Sequence, residues 1–295
     1  MVSTGSDRTF DIVNNSLMFL VLVIVVYPLF FVAIASVSDP LLVNAGKVLL
    51  FPRGITVKGY AKIFQEDKIL NGYLNTIRYT LFGTFINVSL TLSCGYALSN
   101  KYMKWKKAVL FYFVLTMFFS GGMIPKYLVV RNLGLINTIW AMVLPNALSV
   151  WNVMVTRAYF GAALPEELFE TASIDGAGVL RYFWMIVLPL SKPITAVMVL
   201  FYAVGHWNAY FDALIYLESE TLHPLQLVLR NILIVNQMNL SADMVEDVQD
   251  VIERQKLAEL IKYGVIIVSS VPMLILYPFV QKYFIKGIMV GSLKG

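Results

Sequence analysis

Two groups of residues combine types and spacings that could do chemistry. The first lies in 170–189, a mostly polar island between long apolar stretches. There Glu170 and Asp175 offer carboxylates to a basic partner, and Gly176, directly after Asp175, can take the positive φ of a turn. The second is His206, Trp207, Asn208, Tyr210 and Asp212, polar and aromatic side chains in or near an apolar run. Polar groups at membrane depth are costly unless they face the interior or a wet cavity. A pore-facing role and a hydrogen bond between helices are therefore equal readings, and for Asp212 a position at the outer interface is a third.

Other chemistries lack their residues. No Gly-x4-Gly-Lys-Ser/Thr phosphate loop occurs, so the chain has no such device for binding ATP. There is no His-Glu-x-x-His zinc site, and the two histidines, His206 and His223, stand well apart. The single cysteine, Cys94, sits in an apolar run and excludes an intrachain disulfide or a cysteine-based metal site. The chain is expected to be non-catalytic, with no cofactor or metal of its own, and to draw its energy from partners or from a gradient.

The elements that must position the first group can be read from the pattern. Pro165 suits a first helical turn, and Glu166, Glu167 and Glu170 place negative charge near the positive end of a helix. Leu164, Leu168 and Ala172, joined by Ala163 and Phe169, recur at helical spacing. After the turn at Asp175 and Gly176, residues Leu180, Phe183, Trp184 and Val187 predict a second amphipathic turn or two before Pro189. Periodicity alone gives a helix-turn-helix along a membrane face, and an interfacial anchor or a solvated connection reads as well as a docking element.

The whole chain sets that island in a membrane protein. Of 295 residues, 58% are hydrophobic and only 14% charged, and the mean hydropathy is +0.72. The net charge of +5 is scattered at the ends of apolar runs without interleaved aromatics, which argues for membrane orientation and against nucleic acid. The expected fold is an all-α integral membrane protein, a single membrane domain over 1–295, with six transmembrane helices at about 16–37, 79–100, 108–125, 132–156, 187–211 and 263–281. Lys101, Lys104, Lys106 and Lys107 form a short basic loop with no acidic residue, which puts that loop and both termini in the cytoplasm. Loops 39–75 and 217–262 are then external, and 157–186 is cytoplasmic.

The fixed positions of the polar island carry a resemblance. Glu170, the small Ala172, Asp175-Gly176-Ala177, then Ile186 and Leu188-Pro189 at the end, resemble the "EAA" loop of ATP-binding-cassette (ABC) importer permeases, with Thr171 in place of the first alanine. Ser120-Gly121-Gly122-Met123-Ile124-Pro125, Leu133-Gly134-Leu135 with Asn137-Thr138, and Trp207-Asn208 resemble the carbohydrate, maltose-type branch. The stretch 206–214 is similar to the smaller permease of its aldouronate and alginate-oligosaccharide importers.

That resemblance implies a transmembrane subunit of an ATP-driven, binding-protein-dependent oligosaccharide importer in the bacterial cytoplasmic (inner) membrane. It implies a second, different permease, two copies of an ATP-binding subunit that carries ATP and Mg, and an extracytoplasmic sugar-binding protein. Residues Glu170, Ala172, Asp175, Gly176, Ala177, Ile186, Leu188 and Pro189 would form a cytoplasmic coupling helix and loop between the fourth and fifth spans. His206, Trp207, Asn208, Tyr210 and Asp212 would line the translocation path, with Trp207 and Tyr210 stacking on a sugar; membrane-belt aromatics are the competing reading. A gradient-driven carrier or channel is the rival function. Such carriers usually carry internal repeats and intramembrane charges, neither of which is apparent.

Overall fold

The computed structural model describes residues 5–242 and 248–292, and every regular element among them is helical. In chain order these are α1 (Gly5–Ala35), α2 (Pro40–Asn44), α3 (Lys58–Gln65), α4 (Asp67–Ser99), α5 (Lys106–Phe118), α6 (Met123–Asn132), α7 (Ile139–Val143) and α8 (Val150–Ala163). There follow α9 (Glu166–Ile174), α10 (Val179–Tyr182), α11 (Leu188–Leu190), α12 (Lys192–Trp207), α13 (Phe211–Tyr216), α14 (Leu225–Ala242) and α15 (Val248–Ser292). Three segments are single helices long and apolar enough to cross a bilayer: Thr9–Ala35, Asp67–Ser99 and Glu253–Ile275. Three more cross only if each bent pair counts as one span, the bends being 116° between Lys106–Phe118 and Met123–Asn132, 54° between Ile139–Asn146 and Val150–Ala163, and 83° between Val179–Leu190 and Lys192–Trp207. The chain is thus an all-α membrane protein. Its apolar side chains face outward along whole helices, as Phe19, Leu20 and Ile24 of α1 do, which only a hydrocarbon solvent tolerates on this scale.

The chain divides into two compact units, one formed by 68–228 with 272–295 and the other by 1–67 with 229–271. In the first, α4 is the central post. Three of its glycines let neighbours approach: Gly72 meets the backbone of Leu225, Gly83 the His206 ring, and Gly95 the Thr156 side chain. Polar side chains then pin neighbours to the same helix. Asn75 Nδ2 donates to the carbonyls of Thr221 (2.7 Å) and His223 (3.2 Å), Tyr79 Oη donates to that of Leu222 (2.7 Å), and Leu225 N donates to Thr76 Oγ1 (2.8 Å). Further along, Thr91 and Tyr202 share a hydroxyl bond of 2.7 Å. The C-terminal carbonyls of α4 are capped by cations, Arg157 Nε on Leu98 O (3.2 Å) and Lys106 Nζ on Ser99 O (3.1 Å).

Element boundaries depart from the apolar-run reading, each for a stated reason. The second run, expected from 79, belongs to a helix that starts at Asp67, because carbonyls of Thr221 and His223 satisfy Asn75 and the first amide of α14 bonds Thr76. The third, expected over 108–125, stops at Phe118. Gly122 takes φ +83° there, and α6, with Pro125 in its first turn, begins a new direction. The fourth, expected over 132–156, starts only at Ile139 and extends to Ala163, so 157–163 are helix rather than loop. The fifth, expected over 187–211, breaks at Ser191 between Pro189 and Pro193 and ends at Trp207. Within 217–262, expected as a loop with a helix over 244–260, lie α14 and the start of α15; residues 244–247 of that expected helix lie outside the described residues. The last run, expected over 263–281, is the middle of the 45-residue α15.

In the second unit, residues 36–58 fold on themselves. Asp39 caps α2 by accepting from Leu41 N (2.9 Å), while Asp39 N donates to Arg53 O (2.9 Å) and Thr56 N to Val37 O (2.9 Å). Helix α3 lies close to α15, because Gly59 faces Leu260 and Gly264 faces Ile63 with no room for a Cβ. Phe31 meets Tyr263 edge-on at 6.4 Å, over a core of Ile34, Ala35, Val43 and Val48. Asn44 Nδ2 also bonds the Glu259 carboxylate (2.7 and 2.8 Å).

A Cβ at Gly83 would collide with the His206 imidazole. Gly83→Ala is expected to cost about 1–3 kcal/mol through overpacking, read as a lower melting temperature in detergent. Adding His206→Ala should recover much of that loss; a double variant that is simply additive would contradict the contact.

Candidate functional site

The polar island is built as two short helices on an aromatic floor. Helix α9 starts after Pro165 in an extended conformation (φ −60°, ψ 144°), with Glu166 and Glu167 in its first turn beside the positive end of the helix dipole. It ends in a glycine cap. Gly176 takes φ +77°, its N–H donates to Ser173 O (3.1 Å), and Ala177 N donates to Ala172 O (2.8 Å). This pair of bonds is the Schellman arrangement, and it explains why a glycine stands at 176 and small residues at 172 and 177. Ala172 and Ala177 join one apolar cluster with Phe160, Tyr182, Phe183 and Val187. The same bonding recurs at Gly134, where Leu135 N reaches Val130 O at 3.1 Å and Gly134 N reaches Arg131 O at 2.9 Å.

Beneath α9 the rings interlock. Phe169 meets Tyr182 edge-on at 5.2 Å, and Tyr96 of α4 lies 5.1 Å from Phe183 and 6.0 Å from Phe160 of α8. Lys101 of the basic loop reaches Glu166 Oε2 at 2.5 Å, and this bond holds the Lys101 ammonium above its usual range. Glu170 and Asp175 are exposed and make no ion pair among the described residues, and Ile174 between them is 87% exposed. The outward face of α9 is therefore acidic, with an apolar tip.

Past Gly178, α10 runs through a π-helical stretch, Phe183–Val187, into α11. Pro189 has no N–H and would crowd the carbonyl four residues back, that of Met185, and a widened turn at this point relieves both problems. Ile186 and Leu188 pack on the α9 cluster, while Pro189 is exposed at the elbow before Ser191. The structure thus brings Ala172, Ala177, Ile186 and Leu188 together at one core and leaves Glu170, Asp175, Gly176 and Pro189 on the surface.

The second group does not converge on one point. His206 is buried against Gly83, and Trp207 is buried with its ring 6.2 Å from that of Tyr73. Asn208 caps α12 by donating to Val204 O of its own helix (2.9 Å). Tyr210 is 43% exposed and tilts against Phe211 at 6.3 Å. Asp212, on α13, accepts from Asn146 Nδ2 at 2.7 Å, and the Oδ1 of that amide accepts from Lys126 Nζ at 2.8 Å.

Lys126 and Asn146 were not legible as partners in the sequence. Each follows a proline at a break in an apolar run, and only the fold sets them beside Asp212. Lys126 and Asp212 line a cavity of about 830 Å³, together with Gly121, Gly122, Pro145 and Tyr216. Asn146 is held by Asn87 of α4, whose Nδ2 donates to its backbone carbonyl (3.0 Å). Asn137, at φ +59°, fixes the far end of α13: its N–H donates to Tyr216 O, and its Oδ1 accepts from Glu218 N and Ser219 N.

A Cβ at Gly176 meets no atom, so the cost of Gly176→Ala is the left-handed backbone alone, about 1–2 kcal/mol. Gly161, inside α8 with equal room, is the control, and Gly161→Ala should gain about 0.5–1 kcal/mol. Melting temperatures of the two variants moving the same way would refute the cap.

No protein-family model matches the chain. Over 290 residues it is 37% identical to the polygalacturonan/rhamnogalacturonan transport system permease protein YtcP of Bacillus subtilis (strain 168), spanning 98% of this chain and 99% of that one. Protein LplC of the same organism is 36% identical over 295 residues, covering 100% and 98%. Among solved structures, a chain of a bacterial ABC transporter involved in the import of the acidic polysaccharide alginate matches with a TM-score of 0.84 at 30% identity, over 96% of this chain and 99% of that one. The chain belongs to the carbohydrate, maltose-type family of ABC importer permease subunits.

Proposed function

We propose that this permease subunit forms half of the translocation path of an ATP-driven, binding-protein-dependent importer of acidic oligosaccharides, beside a second, different permease. Two copies of a cytoplasmic ATPase, which bind ATP and Mg, and an extracytoplasmic sugar-binding protein complete the assembly. It lies in the bacterial inner membrane with six spans, each bent helix pair counting as one, and with both termini in the cytoplasm. The acidic saccharide follows from the names of its relatives, one of which takes up polygalacturonan or rhamnogalacturonan and another alginate.

The observation that carries coupling is the pairing of an exposed acidic face on α9 with an aromatic underside packed on α4 and α8. Glu170 and Asp175 pair with basic residues of the ATPase, and Ile174 enters its groove. ATP binding draws the ATPases together and moves α9. Ala172, Phe169 and Ala177 push on Tyr182, Phe183 and Val187, and the motion passes through the π-helical stretch to the 83° elbow before α12. His206, Trp207, Asn208, Tyr210 and Asp212 lie at the far end of α12 and just beyond it, on the sugar path.

Two measurements test this reading. Affinity purification of the tagged chain from gently solubilised membranes should bring along a second permease and two ATPase copies. Glu170→Lys with Asp175→Lys should lose the ATPase while keeping the other permease; recovery of the chain alone, with uptake abolished by an ionophore, would point to a gradient-driven carrier. For topology, in a Cys94→Ser background a membrane-impermeant maleimide applied to intact spheroplasts should label Ser219→Cys and spare Lys104→Cys. The opposite labelling would invert the orientation.

A further inference from the structure

The cavity beside α6 holds a chemical arrangement that the coupling reading does not use. Its volume of about 830 Å³ lies within the roughly 300–1,000 Å³ of small-ligand clefts. Most of the wall is apolar, with Phe211, Pro145 and Tyr216 among the lining residues, and Tyr216 is backed by a parallel stack on Tyr127 at 6.3 Å. Two charged side chains interrupt it, Lys126 and Asp212, and the Asn146 amide bridges them. That amide has a single chemically consistent orientation. The ammonium can only donate and so takes the amide oxygen, while the carboxylate can only accept and so takes the NH2 group. Asn87 fixes the backbone of Asn146 in turn, so the two charges are held at opposite ends of a rigid spacer.

The valences left over define the ligand. An ammonium has three N–H donors, and Asn146 takes one of Lys126's. Asp212 uses Oδ2 for Asn146, and among the described residues Oδ1 is left to accept. A site with spare cationic donors at one end, a spare carboxylate acceptor at the other and apolar walls between fits a ring with a carboxylate on one side, hydroxyls on the other and a C–H face. We infer that this cavity receives one uronic-acid unit of the oligosaccharide, with Lys126 binding its carboxylate and Asp212 a hydroxyl, so that Lys126 sets the preference for acidic over neutral sugar. The inference rests on the acidic-oligosaccharide reading above and adds a residue to it. Hydrogen bonds to an ionised partner are about twice as strong as neutral ones, so the ammonium favours a carboxylate over a sugar hydroxyl at the same place.

The test uses the complete transporter, purified with its partners and binding protein, in proteoliposomes. Uptake of galacturonan and alginate trisaccharides is compared with that of their carboxyl-reduced, neutral counterparts, and the readout is the ratio of kcat/KM for acidic over neutral probe. Lys126→Gln should lower that ratio about tenfold or more, and Lys126→Arg, which keeps the charge, should hold it near the wild-type value. If Lys126→Gln leaves the ratio unchanged, or lowers both uptakes equally, the assignment of Lys126 is overturned while the acidic-substrate reading stands. If the wild-type transporter carries the neutral probes and neither acidic one, that reading fails and takes the inference with it.

Discussion

The structure depends on the rule that a backbone polar group surrounded by hydrocarbon must find its partner within the protein. A chain with this many helix breaks would otherwise expose a set of unpaired carbonyls and amides at every one. Each break described above carries a local solution. Gly46, Gly134 and Gly176 turn left-handed so that the next amides fold back on the last helical carbonyls. Arg157 and Lys106 close the end of α4, Ser149 accepts from Asn152 N at the start of α8, and Asn137 takes a strained positive φ while its side chain satisfies two amides beyond α13. Breaks solved in this way become fixed elbows, which is what a moving transporter needs between stiff rods.

The elbow between α9 and α12 shows how stiffness and compliance are divided. On the stiff side, small residues at 172 and 177 bring α9 onto the ring cluster of Tyr96, Phe160, Phe169, Tyr182 and Phe183, whose edge-on and tilted contacts are favoured geometries for aromatic pairs. On the compliant side, Pro189 and Pro193 remove amide donors around Ser191, and the π-helical stretch has room to tighten. On the proposed coupling role, a push on α9 would pass through the rings and be taken up at the bend.

Along α4 the polar side chains fall into two sets. Asn75, Tyr79, Thr76 and Thr91 are bonded to loops or to α12 and act as staples. Thr80, Thr84 and Asn87 each hold a buried oxygen with no partner among the described residues, and so do Thr156 on α8 and Ser191 at the break before α12. Oxygens of this kind are normally satisfied by ordered water. Their position along the helix that packs His206 gives the middle of this unit a more polar interior than its outer face suggests.

The sequence by itself determined the class and marked out the basic loop and the polar island, because each rests on local physics. Hydropathy decides solvent, lysines cluster where a short loop interrupts apolar runs, and Asp175-Gly176-Ala177 can form only a few turns whatever surrounds it. It also pointed to Asp212. The lengths of the helices were not legible, since Asn75 and Thr76 count as polar until Thr221, His223 and Leu225, about 150 residues away, supply their partners. Nor was the cavity, because Lys126, Asn146 and Asp212 come from three breaks in three separate runs, and a pattern along one helix carries no information about what another helix brings beside it. Tertiary packing alone decided those, because it is the only place where groups distant in sequence can exchange hydrogen bonds and charge.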